Sequence, residues 1–270
     1  MILEFIKMNP SGNITVIVLT PVSPDLYGEV ARQVMDTDVL GAEQVGFAQR
    51  PLGPGAVARL EMMGGEFCGN GCRSFGAWLM CAPYLGRRLE SGDLEVVIEA
   101  SGYDGQVLVR GRKERGEFWV SSPMPLPSRI QFTPLGHSEI GLVEFPGISH
   151  AVVVNEDPTS EVFWQVAEVC NCQDVPAFGV MFLSEEKLQV VPVVRVQETQ
   201  SLVWEGSCAS GSVAVGSILA TKGNGKVKNL ELKQPKGTLW VDIDLTEEDG
   251  LAQVSGPVSL VAHGKVWVEC

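Results

Sequence analysis

Two short stretches, half a chain apart, constrain this sequence more than anything else in it: Gly64-Gly65-Glu66-Phe67-Cys68-Gly69-Asn70-Gly71 and Glu205-Gly206-Ser207-Cys208-Ala209-Ser210-Gly211. In each, a cysteine is followed by small residues and then by an apolar pattern of helical period. After Cys68 the apolar positions Phe75, Trp78, Leu79 and Ala82 are spaced i, i+3, i+4, i+7; after Cys208, Val215, Ile218 and Leu219 are spaced i, i+3, i+4. Each cysteine is therefore expected at the mouth of a helix, in front of backbone N–H groups that no helical carbonyl can satisfy. Such a position stabilises a thiolate and attracts anions. Each half of the chain carries one copy of the same device.

The rest of the chain reads as strands around these two helices. In the first half, strands are expected near 3–7, 14–19, 43–47, 56–62, 94–100, 106–110 and 118–120, with helices over 25–37 and 71–82. Asp25 is the expected N-cap or first-turn acid of the first helix. Residues 121–134 hold Pro123, Pro125, Pro127 and Pro134, and read as an extended crossing between domains. In the second half, strands are expected near 141–145, 151–154, 178–183, 188–196, 201–204, 228–233, 238–243 and 251–254, with helices over 159–170 and 211–221. A last strand, Val258–Val268, carries a break at Gly264 and returns to the first domain. One apolar helix among so many strands is best buried by wrapping a curved sheet around it. The reading is α+β, with two similar domains, each a curved sheet or barrel around a central helix, and a cleft between them. The first domain is 1–120 plus about 258–270; the second is 121–257.

Composition excludes more than it selects. The net charge of −13 over 270 residues disfavours nucleic acid and anionic membrane as partners. No apolar run approaches the length of a membrane span, and the N-terminus reads as a strand rather than a signal peptide, so a cytoplasmic location is expected. There are seven cysteines, an odd number at irregular spacing, and in a reducing compartment most are free thiols. Cys72, Cys81, Cys170 and Cys172 read as small buried hydrophobes, and Cys270 as exposed and inert. With no C-x-x-C pair and three scattered histidines, His137, His150 and His263, no metal site is expected.

Two cysteines at two helix mouths suit proton exchange at a carbon next to a carboxylate. Inverting such a centre needs a base on one face and an acid on the other, and one residue cannot reach both. A cysteine thiol is brought near the working pH with little effort. One copy would be thiolate and the other thiol, with roles that swap with substrate handedness. The helix N-termini would hold the substrate carboxylate and stabilise the charge that develops as the proton leaves, so no cofactor is needed.

At the two loops the chain resembles the diaminopimelate epimerase family, which has Cys-Gly-Asn-Gly at one catalytic cysteine and Cys-Gly-Ser-Gly at the other. The matching segments are Cys68-Gly69-Asn70-Gly71 and Cys208-Ala209-Ser210-Gly211. The likeness extends to Gly12-Asn13, Gln44 and Gln234-Pro235-Lys236-Gly237, and implies two barrel-like domains, each with a central helix. It implies that Cys68 and Cys208 are the two catalytic bases. Gly69, Asn70, Ala209 and Ser210 would be the helix-mouth groups that hold the α-carboxylate and α-amine. Asn13, Gln44 and His150 fall on substrate-site positions of the family; Glu205, beside the second loop, is a candidate contact to the substrate amine. The chain departs from the family where Ile148 replaces an asparagine, near Ala177, and at Thr199-Gln200, where a Glu-Arg pair is expected. Those groups grip the far end of diaminopimelate. A subgroup that shares Asn9-Pro10-Ser11-Gly12-Asn13, Glu43-Gln44-Val45-Gly46-Phe47 and Ser201-Leu202-Val203-Trp204-Glu205 is the histidine racemases of opine metallophore (staphylopine-type) biosynthesis. The resemblance implies a cofactor-independent amino-acid racemase with histidine as the favoured substrate.

Alternatives remain open at this stage. Diaminopimelate, proline or hydroxyproline epimerases would use the same pair of thiols. A cysteine hydrolase would pair Cys208 with His150, and a degenerate member would bind an amino acid without turning it over. Glu66 and Glu205 fit solvated or capping acids as well as substrate contacts, and Asn13 and Gln44 fit turn or sheet-edge amides. Trp204 reads as core packing. The partner expected is a small amino acid; a homodimer is compatible with the sequence and not required by it.

Overall fold

The computed structural model describes residues 1–82, 85–114, 116–136, 138–197, 201–247 and 249–269. The chain divides into two units, Met1–Pro123 with the C-terminal strand from Ser255 onward, and Met124–Val254. In the first unit, β1 (Ile2–Asn9) runs antiparallel to β2 (Thr15–Val18). Helix α1 (Tyr27–Met35) crosses over to β3 (Gln44–Gln49), parallel to β2, and β3 turns back into β4 (Ala58–Met62). Helix α2 (Gly69–Met80) and the short β5 (Arg87–Arg88) lead to β6 (Leu94–Ala100), parallel to β4. β7 (Gln106–Glu114) and β8 (Glu117–Pro123) follow as antiparallel neighbours. The C-terminal strand, Leu251–Trp267, pairs with β1 and with β8, so the strands complete a circuit.

The second unit repeats this order. β9 (Arg129–Leu135), β10 (Ser138–Phe145) and β11 (Ile148–Val154) are antiparallel neighbours. Helix α3 (Ser160–Val169) crosses over to β12 (Ala177–Ser184), parallel to β11, which turns back into β13 (Gln189–Val196). β14 (Ser201–Trp204) pairs with β13 and leads into α4 (Ala209–Lys222). The chain returns through β15 (Lys226–Gln234), which meets β13 in parallel at Gln189 and Lys233, and β16 (Gly237–Asp244). Both units thus place a cysteine loop between an antiparallel pair and a second parallel crossover.

Side-chain patterning explains the layers. α1 buries Tyr27, Val30, Ala31 and Val34, one face at helical spacing, and packs them with Val16, Val18, Val45 and Phe47. α2 has no polar face: among its residues only Trp78 is not buried, and it packs with Ile17, Leu60, Ile98, Val109 and Val120. β2 therefore serves both layers, Val16 and Val18 toward α1 and Ile17 toward α2, which is why it reads as an unbroken apolar run. In the second unit α3 buries Phe163, Val166 and Ala167 against Phe178 and Val180, while α4, buried along most of its length, packs against β10, β11, β12, β15 and β16. Small residues let the strands approach these central helices. A Cβ on Gly216 would stand 2.9 Å from Ile243 Cγ1 and 3.0 Å from Val241 Cγ2.

The proline-rich stretch holds the boundary between the units, at Pro123 and Met124, and its second part, Arg129–Leu135, forms β9, with Pro134 opposite Glu139. Five expectations are corrected. The C-terminal strand is continuous through Gly264, which lies opposite Phe5 with the Phe5 ring 3.8 Å from where a Cβ would be. Asp25 is not an N-cap: it is the first-turn acid of a 3₁₀ turn, Pro24–Leu26, that precedes α1, and Ser23 takes the cap position. Trp204 and Cys81 are exposed rather than packed in the core, and Cys170 is only half-buried. No helix among the described residues is long and apolar enough to cross a membrane.

The contact between α2 and β7 generates a test. A Cβ on Gly76 would stand 2.9 Å from Val109 Cβ, a stiff β-branched neighbour. Gly76→Ala gains about 1 kcal/mol of helix propensity but overpacks the core at a cost of about 1–3 kcal/mol. The expected outcome is net destabilisation, read as a lower urea midpoint at unchanged m-value.

Candidate active site

Both cysteines are N-caps, and the two caps are built alike. Cys68 (φ −126°, ψ 106°) precedes α2 and Cys208 (φ −128°, ψ 114°) precedes α4, each in the extended conformation an N-cap requires. The N–H of Gly71 donates to Cys68 Sγ at 3.3 Å, and that of Gly211 to Cys208 Sγ at 3.4 Å. The first helical bonds follow, Cys72 N–H to Cys68 O at 2.9 Å and Ser212 N–H to Cys208 O at 3.0 Å. The sulfur thus takes the third N–H of each helix. The N–H groups of Gly69 and Asn70, and of Ala209 and Ser210, are left without a helical acceptor by their position. A sulfur beside this positive end is stabilised as thiolate, and a carboxylate is drawn to the same N–H groups.

The second unit surrounds Cys208 with side chains from four segments. Gln234, at the end of β15, accepts from Cys208 N–H at 2.8 Å and donates to Ser212 Oγ at 2.7 Å; Ser212 in turn donates to Cys208 O at 2.7 Å. This ring fixes the cysteine backbone on both sides. Ser210 Oγ lies 3.6 Å from Cys208 Sγ and 2.8 Å from His150 Nε2. His150 is fully buried on β11, and burial pulls its imidazole down to about 3, so it is neutral at physiological pH. Its Nδ1 has no partner among the described residues. A bare acceptor is less costly than an orphaned N–H, so the proton belongs on Nε2, donated to Ser210, which leaves the serine O–H free to point at the sulfur. Burial pushes the Cys208 thiol well above its ordinary range; the Glu205 carboxylate, hydrogen-bonded to it, adds to this, while Ser210 and the Gly211 N–H oppose it. At neutral pH Cys208 is the thiol.

The first unit surrounds Cys68 differently. Cys68 is half-buried. Asn70 and Arg73 are both buried, and Asn70 Oδ1 accepts from Arg73 Nη1 at 3.0 Å. Ser101 supports the loop from behind, donating to Glu66 O at 2.8 Å and accepting from Met62 N–H at 2.9 Å. Glu66 itself is exposed and accepts from Gly64 N–H at 3.0 Å within its own loop. Asn13 is buried and donates to Glu43 Oε2 at 3.4 Å, while its Oδ1 has no partner among the described residues. Gln44 follows directly, its N–H bonded to Ile14 O at 3.1 Å.

Within the second unit the structure brings Cys208, Ser210, His150 and Glu205 together. Within the first it joins Asn13 to Glu43 and Asn70 to Arg73. Sequence reasoning passed over Ser212, Ser101 and Arg73, and named Gln234 only as part of the segment that carries the likeness to the family, without a role. Only Arg73 carried a signal: a charged residue inside a helix whose pattern is otherwise apolar or small. His150 meets a serine rather than Cys208, and a histidine held neutral to about 3 is a weak base. Both points count against the hydrolase alternative. His137, Thr199-Gln200 and Cys270 lie outside the described residues.

Comparison with known proteins finds likeness over nearly the whole chain. The family model described as histidine racemase CntK N-terminal domain matches residues 2–267. A histidine racemase of Fusobacterium nucleatum subsp. nucleatum is 32% identical over 278 residues, covering 99% of this chain and 98% of that one. A histidine racemase of Staphylococcus aureus is 28% identical over 278 residues, covering 99% and 98%. The crystal structure of a hydroxyproline epimerase from Agrobacterium vitis, with bound trans-4-hydroxy-L-proline, matches with a TM-score of 0.67 at 10% identity, over 98% of this chain and 92% of that one. At that identity the likeness is one of fold.

His150 predicts an acid limb in stability. Its folded value of about 3 lies below the unfolded 6.5, so between the two the unfolded chain binds the extra proton. The contribution is complete above pH 6.5 and is lost as pH falls toward 3. His150→Gln should flatten the fall in urea midpoint across that window, relative to the unsubstituted protein.

Proposed function

We propose that this chain, which belongs to the family of the histidine racemase CntK N-terminal domain, interconverts the L and D forms of histidine by moving a proton between two thiols, Cys68 and Cys208. It is an isomerase of the racemase class. The observation that carries the two-thiol reading is the duplicated cap: two cysteines with matching backbone angles, each sulfur on the third N–H of a buried helix, in two units of the same strand order. Structural thiols have no need of this arrangement, and proton transfer does.

In this mechanism the α-carboxylate docks on the free N–H groups at a helix mouth. One cysteine, as thiolate, takes the α-proton and becomes the thiol. The opposite thiol gives its proton to the other face and becomes the thiolate. The carbanionic charge spreads into the carboxylate and is stabilised by the helix N-terminus, with no cofactor in the step. Glu205 and the Ser210–His150 pair bear on the Cys208 sulfur: the carboxylate holds its proton on, and the serine O–H steadies the thiolate that forms. Asn13 and Gln44 are the polar groups offered to the remainder of the substrate. Two working free thiols need a reducing compartment, which supports a cytoplasmic location.

Incubated with L-histidine in D₂O, the protein should yield D-histidine with deuterium at the α-carbon. Cys68→Ser and Cys208→Ser should each lower kcat by about 100-fold or more, the usual worth of a general acid or base. Absence of α-proton exchange with histidine and with every other amino acid tried would overturn the racemase reading. The mechanism also requires both sulfurs to reach one carbon. Oxidation without substrate should then link Cys68 to Cys208, abolish activity and be reversed by dithiothreitol. Full activity with both thiols blocked would contradict it.

A further inference from the structure

Arg73 is the largest fully buried side chain among the described residues, and it sits within the first two turns of α2, behind Cys68. Its guanidinium is tied down on every side. Nε donates to Val120 O at 3.2 Å, Nη1 to Asn70 Oδ1 at 3.0 Å, and Nη2 to Ser11 Oγ and Pro257 O, both at 3.1 Å. Every one of these acceptors is neutral. No carboxylate pairs with Arg73 among the described residues. A buried cation without a counter-charge is costly, and proteins keep one only where something compensates it. The side chains that β2, β4, β6, β7 and β8 pack around α2, such as Ile17, Leu60, Ile98, Val109 and Val120, are apolar. The titratable groups coupled to this corner are two thiols, Cys68 and, one turn further on, Cys72. Burial pulls the guanidinium down and Cys68 offsets part of that, which leaves it at about 9, so Arg73 remains a cation at neutral pH. Cys72 is fully buried, which keeps it a thiol. Only Cys68 stands at the helix mouth.

The second unit supplies the contrast. Five residues after Cys208, where the first unit has Arg73, stands Val213, fully buried. Three residues before Cys208 stands Glu205, where the first unit has Gly65. The backbone device is duplicated, and the charge behind it differs: the carboxylate of the first loop, Glu66, is exposed and bonded to Gly64 N–H, whereas Arg73 is buried.

We propose that Arg73 is a positioning residue whose buried guanidinium is the counter-ion of Cys68, holding that cysteine as the thiolate in the resting protein while Cys208 rests as the thiol. The proposal rests on the reading of the two cysteines as a proton-transfer pair. It makes the two half-sites unequal before any substrate binds: Cys68 is ready to take a proton and Cys208 to give one. The enantiomer whose α-hydrogen faces Cys68 turns over directly. The other needs a proton moved from Cys208 to Cys68 first, through water.

The test is the pH dependence of iodoacetamide alkylation, followed separately at Cys68 and Cys208 by peptide mass spectrometry on the intact protein. In the unsubstituted protein the Cys68 midpoint should lie at least one pH unit below that of a free thiol, about 8.5, and the Cys208 midpoint above it. Arg73→Met should raise the Cys68 midpoint by a unit or more and leave that of Cys208 in place; Arg73→Lys, which keeps a cation, should restore most of the low value. A Cys68 midpoint at or above that of a free thiol in the unsubstituted protein overturns the proposal, whether or not the variants fold. So does an unchanged midpoint in a folded Arg73→Met. Because alkylation is read without turnover, a low, Arg73-dependent midpoint with no α-proton exchange would sink the racemase reading and leave this charge pair standing.

Discussion

The structure depends on a weak contact used twice: a backbone N–H at the start of a helix pointing at a cysteine sulfur. The third N–H of an α-helix has no carbonyl to meet, and an oxygen side chain usually takes it. Here Gly71 and Gly211 offer it to Cys68 and Cys208. The consequence is electrostatic. A sulfur in that seat feels the positive end of the helix, and so does any carboxylate drawn in beside it. The seat exists only while the preceding strand and loop hold the cysteine extended, so each loop is clamped from a distance, by Ser101 in one unit and by Gln234 in the other.

That requirement accounts for the architecture around it. A helix mouth keeps its aim only if the helix behind it cannot shift. α2 and α4 are enclosed by strands on nearly every side, and small residues such as Gly76 and Gly216 let the sheet close in until a methyl group would not fit. α1 and α3, with one apolar face each, cover the outer side of the strands and complete the layers. Reactive groups on rigid elements, oriented by a second set of hydrogen bonds, are what catalytic geometry needs.

The duplication fixes the backbone and leaves the charges free to differ. Around Cys208 lie a carboxylate, a serine hydroxyl and a neutral buried histidine; around Cys68 lie an amide and a buried guanidinium. Two protein groups that exchange one proton must start in opposite protonation states. Under the proposed proton transfer between Cys68 and Cys208, a scaffold that repeats the helix mouth and varies its neighbours meets that condition without changing the fold.

Much of this was legible in the chain. Local periodicity reports which residues line a helix, so the helices after Cys68 and Cys208 and most strands could be placed from spacing alone, and the two loops pointed to the family. What the sequence could not supply were meetings between residues far apart in the chain. Gln234 holds Cys208 from 26 residues away, and His150 reaches Ser210 across 60. Arg73 takes acceptors as distant as Pro257. The prolines of 121–134 showed an extended crossing but not that register with β10 makes a strand of Arg129–Leu135; Gly264 suggested a break, yet β1 carries the strand through it. A lone polar residue in a sequence has no partner until the register of the strands chooses one. The chain by itself determined where the thiols stand, and tertiary structure decided what charge each one feels, because charge acts through space and not along the backbone.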